Sequence, residues 1–178
     1  DQGASDQRDD KSGGDANERG KPHLAAKFGH CKRRSIRPQN ADGFSVAILE
    51  KLISDFFYPA LVVSQPARPA GRKQIMTEPP IKHVCDMHLL KLVQPERVKE
   101  IEQMLSDLKP DLIITASYGQ IIPESILRLA KHGALNVHTS LLPLHRGASP
   151  IQAAILAGDH ETGITIMQMD AGMDHGPI

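Results

Sequence analysis

"DLIITASYGQIIPESILRLAKHGALNVH", residues 111 to 138, holds two apolar runs separated by a segment that opens on Pro123 and closes on Gly133. The first run, "DLIITASYG" (111 to 119), is almost continuously apolar, the pattern of a strand covered on both faces. "PESILRLAKHG" (123 to 133) reads as a helix. Proline at a helix start has no amide hydrogen to waste, and glycine past its end accepts the left-handed backbone of a terminator. "ALNVH" follows as a second strand. Strand, helix and strand at this spacing predict a βαβ unit and therefore a parallel sheet.

The same alternation continues on both sides. Downstream, "SPIQAAILAG" (149 to 158) has Ser149 as an N-cap candidate, Gln152 at the capping-box spacing and Gly158 as terminator, and "GITIMQMD" (163 to 170) reads as another strand. Upstream, "FSVAILEKLI" (44 to 53) carries Val46, Ile48, Leu49, Leu52 and Ile53 as a helical stripe, and "PALVVSQP" (59 to 66) is a β-branched strand closed by prolines. "PERVKEIEQMLSDLKPD" (95 to 111) predicts a helix with Val98, Ile101, Met104, Leu105 and Leu108 on one face. The basic, Gly/Pro-rich segment "ARPAGRKQIMTEPPIK" lies between, and reads as a long loop either held in place or mobile. The expected class is α/β, with a doubly wound, mostly parallel sheet.

Composition sets the limits. The chain has 178 residues, with 21 Lys plus Arg against 21 Asp plus Glu, so no global positive field argues for nucleic acid, although a local patch remains open. Cys31 and Cys85 have neither the pairing of a disulfide framework nor the spacing of a zinc site, which favours a reducing compartment. No run approaches the ~20 apolar residues of a membrane span, and no signal-peptide layout opens the chain. A cytoplasmic protein is expected, with no membrane partner. Residues 1 to 42 contain only Leu24, Phe28, Cys31 and Ile36 as larger apolar side chains. By that composition they are expected to form a disordered or weakly ordered leader, because so little burial cannot offset ordering entropy.

In a doubly wound sheet, ligands bind beyond the carboxyl ends of the strands. Asn136 and His138 lie at such an end and share a face, because side chains alternate along a strand. Asp174 follows one helix and one strand later, and a right-handed crossover is expected to bring it to them. An amide donor, an imidazole and a carboxylate suit acyl-type chemistry. His145 and His175 flank this region without metal-ligand spacing, so no metal is expected.

"NVHTSLLPLHRGASPIQAAILAGDHETGITIMQMDAGMD" (136 to 174) resembles the methionyl-tRNA formyltransferases, and "FSVAILEKLI", "VVSQPARPAGR" and "DLIITASYGQIIPESIL" fit that family in the same order. The resemblance covers roughly residues 43 to 178 and rests on an Asn-x-His strand end, a Ser-Leu-Leu-Pro loop and an Asp-x-Gly-x-Asp segment. It implies a Rossmann-like formyltransferase fold and transfer of a formyl group from 10-formyltetrahydrofolate to methionyl initiator tRNA, by a monomer. Catalytic roles fall on Asn136, His138 and Asp174, with Asp174 either orienting His138 or accepting the proton of the attacking amine. Folate contacts fall on Ser140, Leu141, Leu142 and Pro143, and tRNA contacts on Arg68, Arg72, Lys73 and Lys82, with Arg72 the important arginine. Glycinamide ribonucleotide and sugar-nucleotide formyltransferases share the Asn, His and Asp. A noncatalytic folate- or tRNA-binding remnant is the reading from a different class.

The chain departs from the family pattern in three places. "NADGFS" stands where a Gly-Thr-Pro turn should precede the first helix, and nothing in residues 1 to 42 reads as the opening strand. The chain stops just past Asp174, short of the rest of the catalytic domain and the C-terminal β-barrel domain. His145 replaces an aromatic before Arg146-Gly147. Residues 43 to 178 are therefore expected to be a partial catalytic domain, truncated at its first strand and at its C-terminal end, behind a disordered or unrelated leader over residues 1 to 42.

Overall fold

The computed structural model describes residues 24–28 and 39–178. Among these residues the elements follow in the order β1 (Leu24–Phe28), α1 (Gln39–Ser54), β2 (Leu61–Val63), β3 (Arg68–Ala70), β4 (Ile75–Thr77), α2 (Ile81–Met87) and β5 (Leu92–Val93). A 3₁₀ turn (Val98–Ile101) then leads into α3 (Glu102–Leu108), β6 (Leu112–Ala116), α4 (Glu124–Leu127), β7 (Ala134–His138), α5 (Pro150–Ala157) and β8 (Thr165–Gln168). The main sheet runs β5-β2-β1-β6-β7-β8. Every neighbouring pair is parallel except β7 with β8, which is antiparallel. The chain winds outward from β1 to β2 and β5, then crosses to β6 and β7 on the other side. That reversal between β1 and β6 creates a crevice at the carboxyl edge.

Two apolar layers cover the sheet, and strand alternation assigns residues to each. Leu61 and Val63 of β2, Ile113 of β6 and Ala134 of β7 pack with Val98, Ile101, Leu105, Ile126 and Leu127. Val62, one residue out of phase in β2, packs instead with Leu49 and Ile53 of α1, Ile81, Val84 and Cys85 of α2, and Ala116. Sheets buried on both faces need apolar side chains in both phases, which explains the run at 112 to 116, interrupted only by Thr115.

The doubly wound, mostly parallel class is observed, but four local expectations are corrected. First, the sheet has its opening strand: β1 pairs with β2 from Ala25 to Lys27 and with β6 along its whole length. "LAAKF" has too little apolar bulk to stand out by composition, and a central strand gains its place from backbone pairing on both sides. Second, helix α1 starts at Gln39, so "NADGFS" is helical and the boundary at residue 42 falls inside an element. The leader reading for residues 1–23 and 29–38, and that for Cys31, lies outside the described residues. Third, "PESILRLAKHG" forms only one α-helical turn before short turns end at Gly133, whose φ is +74°. Fourth, the basic loop is partly structured, with β3 and β4 forming a small antiparallel hairpin.

Candidate active site

Strand β7 supplies two of the three expected catalytic side chains because Asn136 and His138 point to one side of it. His138 is 6% exposed. The carboxylate of Asp174 reaches them by a route other than the expected crossover. Because β8 is antiparallel, its end at Gln168 lies beside Leu135, at the start of β7. The chain must turn back to regain the carboxyl edge. It does so through residues 169 to 177, and the Gln168 amide donates to the Pro177 carbonyl at 2.8 Å as the turn closes.

The three side chains meet at that edge. Asn136 Nδ2 lies 3.5 Å from Asp174 Oδ1, and His138 Nδ1 lies 3.9 Å from the same oxygen. The second distance is too long for a hydrogen bond and leaves a charge-to-ring contact. Asp174 Oδ2 is firmly held, accepting from the Gly147 amide at 2.7 Å. Across the ring, His138 Nε2 lies 3.2 Å from the His145 carbonyl oxygen. A carbonyl only accepts, so the hydrogen sits on Nε2. Asp174 and His145 both have positive φ, +53° and +51°, which is uncommon for residues other than glycine.

Sequence reading missed Thr115. Its hydroxyl sits 3.0 Å from Asn136 Oδ1, so the amide oxygen faces β6 and Nδ2 is turned toward Asp174. A polar residue in the apolar run 111 to 116, directly opposite Asn136 in the β6–β7 register, is the signal that would have found it.

The Ser-Leu-Leu-Pro loop lies next to this cluster, but its residues differ in access. Ser140 is fully buried; its hydroxyl donates to the Leu144 carbonyl at 2.7 Å, and its carbonyl accepts from Thr165 Oγ1 at 2.7 Å. Leu141 and Pro143 are exposed, and Leu142, whose amide donates to Thr165 Oγ1, is half-buried. The expected capping box at Ser149 does not form a side-chain bond, although Gly158 ends α5 in the left-handed conformation.

The four basic residues are not gathered. Arg68 forms an ion pair with Glu96, and Lys82 pairs with Asp86 one turn along α2. Asp86, by hydrogen bond and charge, pushes the Lys82 ammonium further above its ordinary range. Arg72 and Lys73 sit exposed at the turn of the β3–β4 hairpin. A cleft of about 480 Å³ lies beyond the ends of β2, β5 and β6, lined by Gln65, Glu96, Arg97, Lys99 and Gln120 among others. It does not include Asn136, His138 or Asp174. Among the described residues no group of three or more His, Cys, Asp or Glu side chains is placed to hold a metal ion, and no helix is long and apolar enough to cross a membrane.

An amide, an imidazole and a carboxylate thus meet at the carboxyl edge of a doubly wound α/β sheet. The chain belongs to the formyl transferase family, whose model matches residues 40–178. It is similar to the methionyl-tRNA formyltransferase of Halalkalibacterium halodurans, 49% identical over 138 residues that cover 76% of this chain and 43% of that protein. It is also similar to the same enzyme of Staphylococcus epidermidis, 52% identical with 44% of that protein covered. The chain thus spans less than half the length of these curated relatives. Among solved structures, a phosphoribosylglycinamide formyltransferase from Anaplasma phagocytophilum shares the fold at a TM-score of 0.66 and 21% identity, over 89% of this chain and 70% of that one. A formyltetrahydrofolate deformylase from Pseudomonas syringae does so at 0.65 and 19%, over 90% and 50%.

Proposed function

We propose that this chain carries the site that transfers a formyl group from 10-formyltetrahydrofolate to the amine of methionyl initiator tRNA. The observation that carries the chemistry is the convergence on one carboxyl edge of Asn136, His138 and Asp174, with Asp174 38 residues from Asn136 in sequence. The choice of acceptor is supported by identity near 50% to methionyl-tRNA formyltransferases, against about 20% to the phosphoribosylglycinamide enzymes.

In the reaction the amine nitrogen bonds to the formyl carbon, the bond from that carbon to the folate nitrogen breaks, and one proton passes from the amine to the departing nitrogen. Charge develops on the formyl oxygen. The Asn136 amide, its oxygen held by Thr115, presents Nδ2 as a donor for that charge, and removing such a donor typically costs ~100-fold or more in rate. His138, its Nε2 hydrogen directed at the His145 carbonyl, turns Nδ1 toward Asp174. Asp174, anchored by the Gly147 amide, orients this pair and offers an acceptor for the amine proton.

Leu141, Leu142 and Pro143 offer the surface for folate, while buried Ser140 shapes the loop. Arg72 and Lys73 at the hairpin turn are the groups we assign to tRNA phosphates, with Arg68 and Lys82 already paired. In this reading β1 and residues 39–178 belong to one catalytic domain, working in the cytoplasm as a monomer. The test is a formyl-transfer assay offering methionyl initiator tRNA, phosphoribosylglycinamide and an amino sugar nucleotide in competition. Formylmethionyl-tRNA as the main product supports the reading. Preferential formylation of either small acceptor replaces it with the alternative formyltransferase reading.

A further inference from the structure

His138 is turned by a backbone group, and the placement of that group depends on a side-chain pair outside the three-residue cluster. The His145 carbonyl receives the His138 Nε2 hydrogen at 3.2 Å, and two residues on, the Gly147 amide holds Asp174 at 2.7 Å. One short segment therefore contacts both the imidazole and the carboxylate. At its start, His145 adopts a φ of +51°, a left-handed conformation that is uncommon and costs energy for residues other than glycine, although histidine tolerates it better than most. The surroundings here include Asp159, whose Oδ2 lies 2.5 Å from His145 Nε2. Asp159 is itself fixed just past the end of α5, its amide donating to the Ala154 carbonyl at 3.1 Å after the left-handed turn at Gly158. Both partners are partly shielded, at 19% and 29% side-chain exposure, so the pair is better protected from screening than a fully exposed one.

We propose that His145 and Asp159 form a positioning pair for His138. The chain of contact runs from Asp159 to the His145 ring, through the His145 backbone to its carbonyl, and on to His138 Nε2. Without the pair, His145 relaxes toward negative φ and its carbonyl turns from the ring. The segment then loses its hold on His138 and slackens at Gly147. The catalytic meaning of this arrangement rests on the formyl-transfer role proposed for His138; the geometric claim does not.

The test uses the chain labelled with ¹⁵N-histidine. A hydrogen-bonded, buried imidazole N–H gives a slowly exchanging proton resonance, and this signal is expected from His138 Nε2. Asp159→Ala is expected to speed its exchange roughly tenfold or more, the scale set by losing about one hydrogen bond. Asp159→Glu is expected to restore it, and Asp55→Ala, which removes the distant Lys51–Asp55 pair, to leave it unchanged. Should Asp159→Ala unfold the chain, His145→Ala removes the anchoring ring and leaves a residue that favours negative φ, and is expected to lose the signal with the fold kept. An unaltered His138 signal in a folded Asp159→Ala or His145→Ala protein overturns the proposal. The two claims separate cleanly. A lost signal alongside full formylation by His138→Ala would remove the catalytic reading and keep the pair. An unchanged signal alongside inactive His138→Ala would do the reverse.

Discussion

Gly176→Ala tests whether the return loop after β8 holds Asp174 in the site. A Cβ at residue 176 would lie 1.7 Å from the Gln168 carbonyl oxygen and 2.9 Å from its carbon. Both are backbone atoms, so the two strands of the turn must part by on the order of 1 Å, since no side-chain rotation relieves the contact. Two hydrogen bonds span that turn or depend on it: Gln168 N–H to the Pro177 carbonyl, and Gly147 N–H to Asp174 Oδ2. The first is neutral, about 1 kcal/mol, and the second is charge-assisted, about 1.5–3 kcal/mol. Losing both lowers the local opening free energy by about 2.5–4 kcal/mol, or roughly 70- to 900-fold in exchange rate. Amide hydrogen exchange followed by NMR reads this at Gly147 and Gln168. Ile113, fully buried in β6 with its amide donating to the Gly133 carbonyl just before β7, is the reference for global stability. Unchanged protection at both amides in a folded Gly176→Ala protein would refute the idea that this turn positions Asp174.

Other consequences follow from the core, the buried titratable groups and the hairpin. Leu105 is fully buried in the layer over β2 and β6, so Leu105→Ala should lower the unfolding free energy by about 2–5 kcal/mol in urea titrations. Burial pushes the Cys85 thiol up to about 11 and the Tyr118 hydroxyl up to about 12, in both cases with a smaller push from a nearby carboxylate. Both groups hold their protons more tightly when folded. Stability should therefore be intact below pH 9 and fall as pH rises through the 9–12 range, with the urea midpoint at pH 10.5 below that at pH 8. Arg72→Ala should weaken binding of initiator tRNA and reduce the salt slope of log K by about 1. Arg68→Ala, which removes an arginine already paired with Glu96, should leave that slope nearly unchanged.

The sequence displayed what burial on two faces requires, and concealed what backbone pairing alone decides. The run at 112 to 116 and the stripe through Leu49 and Ile53 were legible because each element must hide apolar side chains from water. Strand β1 was not: two of the five residues of "LAAKF" are alanine and one is lysine, and its central place comes from ladders to β2 and β6. The two-residue β5 and the β3–β4 hairpin were hidden for the same reason. Within the site, Asn136, His138 and Asp174 could be named because their types and spacing carry chemistry. Their route to one another could not, since the direction of β8 depends on where the chain turns rather than on its apolar period. Thr115, the His145 carbonyl and the Gly147 amide escaped notice because backbone groups have no sequence signature and a threonine in a strand is ordinary.

The central claim is that Asn136, with His138 and Asp174, performs formyl transfer. The measurement that tests it most directly is the rate of formylmethionyl-tRNA formation from 10-formyltetrahydrofolate by the chain and by Asn136→Ala, with the folded state of both checked by far-UV circular dichroism. A rate that falls ~100-fold or more in the folded variant is the predicted result. Equal rates in the two proteins, or no transfer by the folded parent chain, would contradict the claim.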